Sequence, residues 1–221
     1  MTNTNTKQWD PKDHVPKYIT EQLTNGGGKN SYNYINSFYQ IVQLLKTQKR
    51  TGWLEHNITN PESISDHMYR MSIIAMSLNT KNFQQSFDLS KCIKISLIHD
   101  IAECLVGDIV PHDTQIDKIE KHKREYNTIL YLSKIIKPYN AEFSNEIIEL
   151  WLDYEEQRNF ESIIIKDIDK YELLIQTFEY EMSNDVKLDE FYQCERLIKN
   201  QELKNMANDL LKKRNQYWEN R

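Results

Sequence analysis

The sequence predicts a single all-α domain, and three observations carry that expectation. Apolar residues recur at helical spacing in one segment after another from residue 32 onward. No alternating apolar–polar run bounded by turn residues, the mark of a half-buried strand, interrupts them. Glycine is scarce, at five in 221 residues, and three of the five stand together at Gly26-Gly27-Gly28, outside the periodic part. A chain of this length can bury a substantial core within one domain.

Residues 1–30 are polar and end in that glycine run, so they read as a flexible tail in which only Trp9, Val15, Tyr18 and Ile19 offer apolar surface for docking. The domain proper is expected over residues 31–221. Phe38, Ile41, Val42 and Leu45 fall at i, i+3, i+4, i+7 and predict the first helix face. A turn follows from Arg50 to Pro61. Ser63 and Asp66 resemble a capping box, and Met68, Met71, Ile74, Ala75 and Leu78 continue from it as an apolar stripe. The next helix begins near Asp88 or Ser90, and Ile93, Leu97 and Ile101 carry it past His99-Asp100 until Gly107 and Pro111 end it. A charged helix over 116–137 stops at Pro138. Helices over 144–157 and 161–182 follow, the second with Ile164, Ile168, Tyr171, Ile175 and Phe178 on one side. The last helix is expected from Leu188 toward Trp218, with a break near Asn200.

The bulk composition removes several classes of function. A net charge of −5 with interspersed signs leaves no basic surface for nucleic acid. No apolar run approaches the ~20 residues of a membrane span, and the N-terminus lacks the apolar core of a secretion signal. Three cysteines without CxxC spacing read as reduced thiols. The expected setting is intracellular, in the cytoplasm with the nucleus also open.

Ionisable residues on apolar helix faces carry the chemistry. His99-Asp100 closes the run Ile93-Lys-Ile-Ser-Leu-Ile, Asp169 lies four residues from both Ile165 and Leu173, and His67 sits beside Met68 and Met71. Taken singly, each has a plain structural reading, such as a boundary histidine or a partner of Lys166 or Lys170. Together, two imidazoles and two carboxylates drawn out of water match the needs of one divalent cation. That donor set suits a borderline ion (Mn²⁺, Co²⁺ or Fe²⁺ first, with Zn²⁺ or Mg²⁺ also able to enter) better than calcium.

The motifs Arg50-Thr-Gly-Trp53, Pro61-Glu-Ser-Ile-Ser-Asp-His-Met-Tyr-Arg-Met71, His99-Asp-Ile-Ala-Glu103, Gly107-Asp108-Ile, Glu120-Lys-His-Lys-Arg124 and Lys166-Asp-Ile-Asp169 run from residue 50 to residue 169, and the likeness they carry covers roughly residues 35–215. In this combination the chain resembles the HD-domain metal-dependent phosphohydrolase superfamily. Within it, the resemblance is to the branch of HD domain-containing protein 2 and the bacterial 5′-deoxynucleotidases. The resemblance implies an HD-domain helical bundle with His67, His99, Asp100 and Asp169 as ligands of the divalent ion. It implies a catalytic role for Glu103 and places Asp108 beside metal and substrate. It further implies hydrolysis of deoxyribonucleoside 5′-monophosphates to deoxynucleoside and phosphate, by a homodimer.

Glu103 follows Asp100 by three residues, so it is suited to orient or deprotonate the attacking water, or to pass a proton to the leaving oxygen. Asp108 is assigned to catalysis and substrate contact, and with Glu103 could hold a second, hard ion such as Mg²⁺. Arg50 is the expected phosphate grip and Trp53 the expected sugar or base contact. Relatives in this branch commonly carry arginine where this chain has His56, which puts more of the phosphate binding on Arg50. The alternatives are another phosphohydrolase of the same superfamily (a cyclic-nucleotide phosphodiesterase or a nucleoside triphosphohydrolase) and a non-catalytic scaffold stabilised by its ion.

Overall fold

The computed structural model describes residues 8–25 and 30–221. Among the described residues there are ten α-helices and short 3₁₀ turns, with extended pairing limited to one antiparallel bridge, Lys49 to Ser63. The helices are α1 (Lys17–Asn25), α2 (Ser31–Val42), α3 (Thr51–Glu55), α4 (Ile64–Ser77), α5 (Leu89–Ile98), α6 (Glu103–Val106), α7 (Lys118–Ile136), α8 (Ala141–Glu156), α9 (Phe160–Asn184) and α10 (Gln201–Glu219). The all-α expectation holds.

Helix starts follow from side chains that satisfy otherwise orphaned backbone N–H groups. Ser63 and Asp66 form the anticipated capping box at α4, and Asn159 with Ser162 forms another at α9. Asp88, Asp117 and Asn140 cap α5, α7 and α8. The Asp167 carboxylate accepts from the backbone N–H groups of Lys199 (2.9 Å) and Asn200 (2.6 Å), which fixes the break before α10. Ahead of that break the chain runs as a 3₁₀ stretch, Asp189–Leu197.

The long helix α9 lies at the centre, against α4, α5, α8 and α10, while α7 and α8 pair as neighbours. Met68, Met71, Ile95, Ile129, Ile147, Trp151, Ile164 and Ile168 fill the space between them. A second, smaller cluster joins Trp53, Ile58 and Leu188.

Several details differ from the sequence expectation. Residues 1–7 and the glycines at 26–28 lie outside the described residues, but Pro11–His14 and α1 are folded. Val15 and Ile19 are buried in the main core, and the segment packs on α2, α6 and α7. These buried side chains anchor the stretch to the bundle, so the expected tail is docked from residue 8 to residue 25. The turn after Arg50 contains helix α3. Regular hydrogen bonding in α5 ends at Ile98, with His99 as its C-cap. Tight i→i+3 bonds, Ile101 N–H to Ile98 and Glu103 N–H to Asp100 at 3.0 Å each, then turn the chain into α6. Leu97, expected inside, is exposed, and Cys92 and Ile95 fill the inner face instead.

Candidate active site

The bridge between Lys49 and Ser63 brings Arg50 beside the start of α4: Arg50 N–H donates to Glu62 C=O at 3.2 Å and Ile64 N–H to Gln48 C=O at 3.0 Å. The first turn of α4 carries His67, the turn after α5 carries His99 and Asp100, and the middle of α9 carries Asp169. These four side chains meet. His67 Nε2 lies 3.3 Å from Asp169 Oδ1 and 4.0 Å from Asp100 Oδ2, and His99 Nε2 lies 3.1 Å from Asp100 Oδ2. Both histidines are buried, whereas the Asp100 and Asp169 side chains remain 21% and 28% exposed and mark the open side.

Both rings present the same nitrogen to the cluster. His99 Nδ1–H donates to Ser96 C=O at 2.9 Å, and His67 Nδ1–H donates to Glu172 Oε2 at 2.5 Å. That leaves Nε2 of each ring buried without a hydrogen-bond partner. Buried polar atoms are rarely left so, and an ion is one partner that satisfies both. One ligand atom each from His67, His99 and Asp100 fall within 4.8 Å of one another, dimensions that fit a divalent cation. Burial pushes the Asp100 and Asp169 carboxyls up, but the facing imidazoles outweigh it and hold both below the ordinary carboxylate range.

Glu103 opens α6 beside this cluster, with one carboxylate oxygen buried and unpartnered. Burial, then the neighbouring Asp100 and Asp108, pushes its carboxyl well up, against the pull of Lys121. Lys121 Nζ stands 3.7 Å from Glu103 Oε1 and 3.5 Å from Glu125 Oε1, and donates to Ile109 C=O at 2.8 Å. Gly107, at φ 83°, turns the chain after α6 through a backbone conformation that side chains resist. Asp108 thereby returns to the N-terminus of α3, where its Oδ2 accepts from Thr51 N–H at 2.5 Å. The Arg50 side chain is half-buried among Glu62, Asp108, Asp169 and Asp100; desolvation opposes its charge, and these carboxylates more than restore it.

Trp53 lies elsewhere. Its side chain is 1% exposed, stacked on Phe191 at 4.5 Å and edge-on to Tyr180 at 5.1 Å, with Nε1–H donating to Glu62 at 3.0 Å. The expectation that it meets sugar or base is therefore corrected: the ring is core. His56 is turned to Gly52 C=O (2.7 Å) and Glu190, away from the cluster. Arg124 pairs with Glu120 and His122 with Glu155, so within that charged run Lys121 is the residue directed inward.

Sequence reasoning missed Glu172, Tyr154 and Lys121. Glu172 is one turn beyond Asp169 on the same face, a spacing that could have flagged it. Tyr154 O–H donates to Asp169 Oδ2 at 2.9 Å from α8, a meeting with no local signal. Lys121 was hidden in a run of charges.

The family model described as HD domain matches residues 42–210. The 5′-deoxynucleotidase YGK1 of Saccharomyces cerevisiae is 45% identical over 214 residues, covering 96% of this chain and 95% of its own length. The 5′-deoxynucleotidase HDDC2 of Dictyostelium discoideum is 40% identical over 173 residues, covering 74% and 88%. The solved structure of HD domain-containing protein YGK1 superposes with a TM-score of 0.72 at 37% identity, over 95% of this chain and 99% of that one. With the matched region spanning the histidine–aspartate cluster and every helix around it, the chain belongs to the HD domain family.

Proposed function

We propose that this chain is a 5′-deoxynucleotidase, a metal-dependent hydrolase that splits deoxyribonucleoside 5′-monophosphates into deoxynucleoside and phosphate. The observation that carries the reading is the pair of unpartnered Nε2 atoms on His67 and His99, set against Asp100 and Asp169 on the open side. Relatives that align along nearly the whole chain carry this activity in their names.

His67, His99, Asp100 and Asp169 would hold the ion, with Mn²⁺, Co²⁺ or Fe²⁺ preferred over Zn²⁺ or Mg²⁺. A divalent ion there supplies a lowered pKa for the attacking water and neutralises charge on the phosphoryl oxygens. Arg50, fully charged among carboxylates, grips the phosphate from the open side. Burial pushes the Glu103 carboxyl up, which suits it to give a proton to the leaving 5′-oxygen and recover one from water. Tyr154 holds Asp169 in place. Asp108 orients the α3 end of the site; a second ion such as Mg²⁺ held there with Glu103 would need Glu103 ionised, in place of its proton-donor role.

The apolar residues Tyr69, Ile73 and Met76 recur along the exposed side of α4. They are our candidate for a homodimer contact, because three large apolar side chains at i, i+4 and i+7 line one exposed face of the helix. Ile73→Glu should then convert a dimer to a monomer in analytical ultracentrifugation. We place the protein in the cytoplasm; no helix among the described residues is long and apolar enough to cross a membrane.

Phosphate release from a panel of ribo- and deoxynucleoside mono-, di- and triphosphates, with Mn²⁺, Co²⁺ and Mg²⁺ in turn, tests the reading. Turnover of deoxynucleoside monophosphates, lost in His67→Ala, is expected. Absence of turnover with every ester and metal would return the chain to the scaffold reading.

A further inference from the structure

The His67 ring is held at both edges by one helix. Asp169 faces its Nε2 at 3.3 Å, and Glu172, one turn further along α9, accepts from its Nδ1–H at 2.5 Å. Glu172 is wholly buried, and its second oxygen accepts from Arg70 Nε at 2.7 Å. Arg70 is itself fixed, donating to Gln176 at 2.6 Å and to Glu179 at 2.7 Å. This buried carboxylate is matched on one oxygen by an arginine and on the other by an imidazole N–H, so each of its oxygens has a charged or N–H partner.

We propose that Glu172 and Arg70 form a positioning strut that fixes His67 as an Nε2 ligand and thereby sets how tightly the site holds its ion. The inference rests on the reading of His67 as a ligand. A ring that donates through Nδ1 can offer only Nε2, and a carboxylate partner makes that nitrogen a stronger donor. The opposite edge of the same ring offers a competing set, since ligand atoms of Glu62, His67 and Glu172 also lie within 4.8 Å of one another. A cation there would need a bare Nδ1. It would also sit against the half-buried guanidinium of Arg50, whose Nε is 3.8 Å from Glu62, and beside an oxygen pair half taken by Arg70. The strut therefore decides which edge of His67 binds.

The test uses the full chain stripped of metal by a chelator and reloaded with Zn²⁺, which is silent to NMR. Long-range ¹H–¹⁵N correlation on the wild-type protein should show His67 protonated at Nδ1 and coordinated at Nε2; the reverse pattern overturns the proposal. In competition with a chromophoric chelator, Glu172→Gln should bind Zn²⁺ about 10- to 100-fold more weakly. Glu156→Gln, the same charge change on the surface, should bind as the wild type does. A folded Glu172→Gln with wild-type affinity overturns the inference alone, whereas a wild-type chain that binds no Zn²⁺ overturns the metal-site reading with it. Should Glu172→Gln not fold, the wild-type tautomer decides.

Discussion

Thr51 and Asp108 are joined twice across the chain: Thr51 N–H donates to the Asp108 carboxylate at 2.5 Å, and the Thr51 hydroxyl donates to the Asp108 carbonyl at 2.6 Å. The two bonds tie the start of α3, next to Arg50, to the turn after α6, next to Glu103. The proposed phosphate grip and the proposed proton donor are thus set against each other by a contact remote in sequence.

Thr51→Val keeps the backbone bond and removes the hydroxyl one. The loss should cost about 1 kcal/mol of stability, the worth of an ordinary hydrogen bond, in urea denaturation. Because the slack falls between Arg50 and Asp108, KM for the monophosphate should rise more than kcat falls. An unchanged KM would detach this contact from substrate binding.

Glu103→Gln retains the shape and burial of the side chain but cannot cycle a proton. Turnover should fall by about 10² to 10⁴, the usual reach of general acid–base catalysis. Metal affinity measured by calorimetry should stay near wild type, since Glu103 is not among the four proposed ligands. Full activity in this variant would remove Glu103 from the mechanism.

In the metal-free protein the His67 imidazole is pushed up to about 10: burial and Arg50 oppose its charge, but Glu172 and Asp169 prevail. A folded pKa above the unfolded value of 6.5 stabilises the metal-free chain below that pH, and the contribution is lost as pH rises through about 10. Ligation requires the neutral ring, so each ion bound displaces this proton. Apparent affinity should climb by about tenfold per pH unit until it levels off at about pH 10, with a proton released into the buffer below that point. Calorimetry in buffers of different ionisation enthalpy reads that proton directly; no release would contradict the charged ring.

Glu181 is a buried anchor distant from the site. It accepts from Leu188 N–H (2.8 Å), Tyr192 O–H (3.1 Å), Trp218 Nε1–H (3.2 Å) and two nitrogens of Arg214 (2.7 Å each). Glu181→Ala leaves Arg214 only the exposed Asp189 as a carboxylate partner, unpairs Leu188 N–H, Tyr192 O–H and Trp218 Nε1–H, and should cost about 3–5 kcal/mol in denaturation. Burial pushes this carboxyl up, but Arg214 and the other donors hold it below its ordinary value. Its contribution is therefore present above the unfolded pKa and fades as pH falls through the lower folded one. Activity at temperatures where the variant is folded should not change.

Much of this protein is legible in the chain alone. Helical spacing of Ile, Leu and Met, with few glycines and no alternating runs, determined an all-α domain, because periodicity is a local property that any buried face must obey. His67, His99, Asp100 and Asp169 stood out for a related reason: charged groups on apolar faces need a partner, and their order narrowed the choice. Tertiary structure alone decided the rest. Trp53 packs inward because Phe191 and Tyr180 close over it from more than 120 residues away. Val15 and Ile19 dock because α2, α6 and α7 leave a place for them. Glu172 and Tyr154 acquire their partners, and Lys121 its inward turn, only when α4, α6, α7, α8 and α9 converge. A polar side chain's partner is fixed by direction and distance in space, and neither is written in the spacing of its neighbours along the chain.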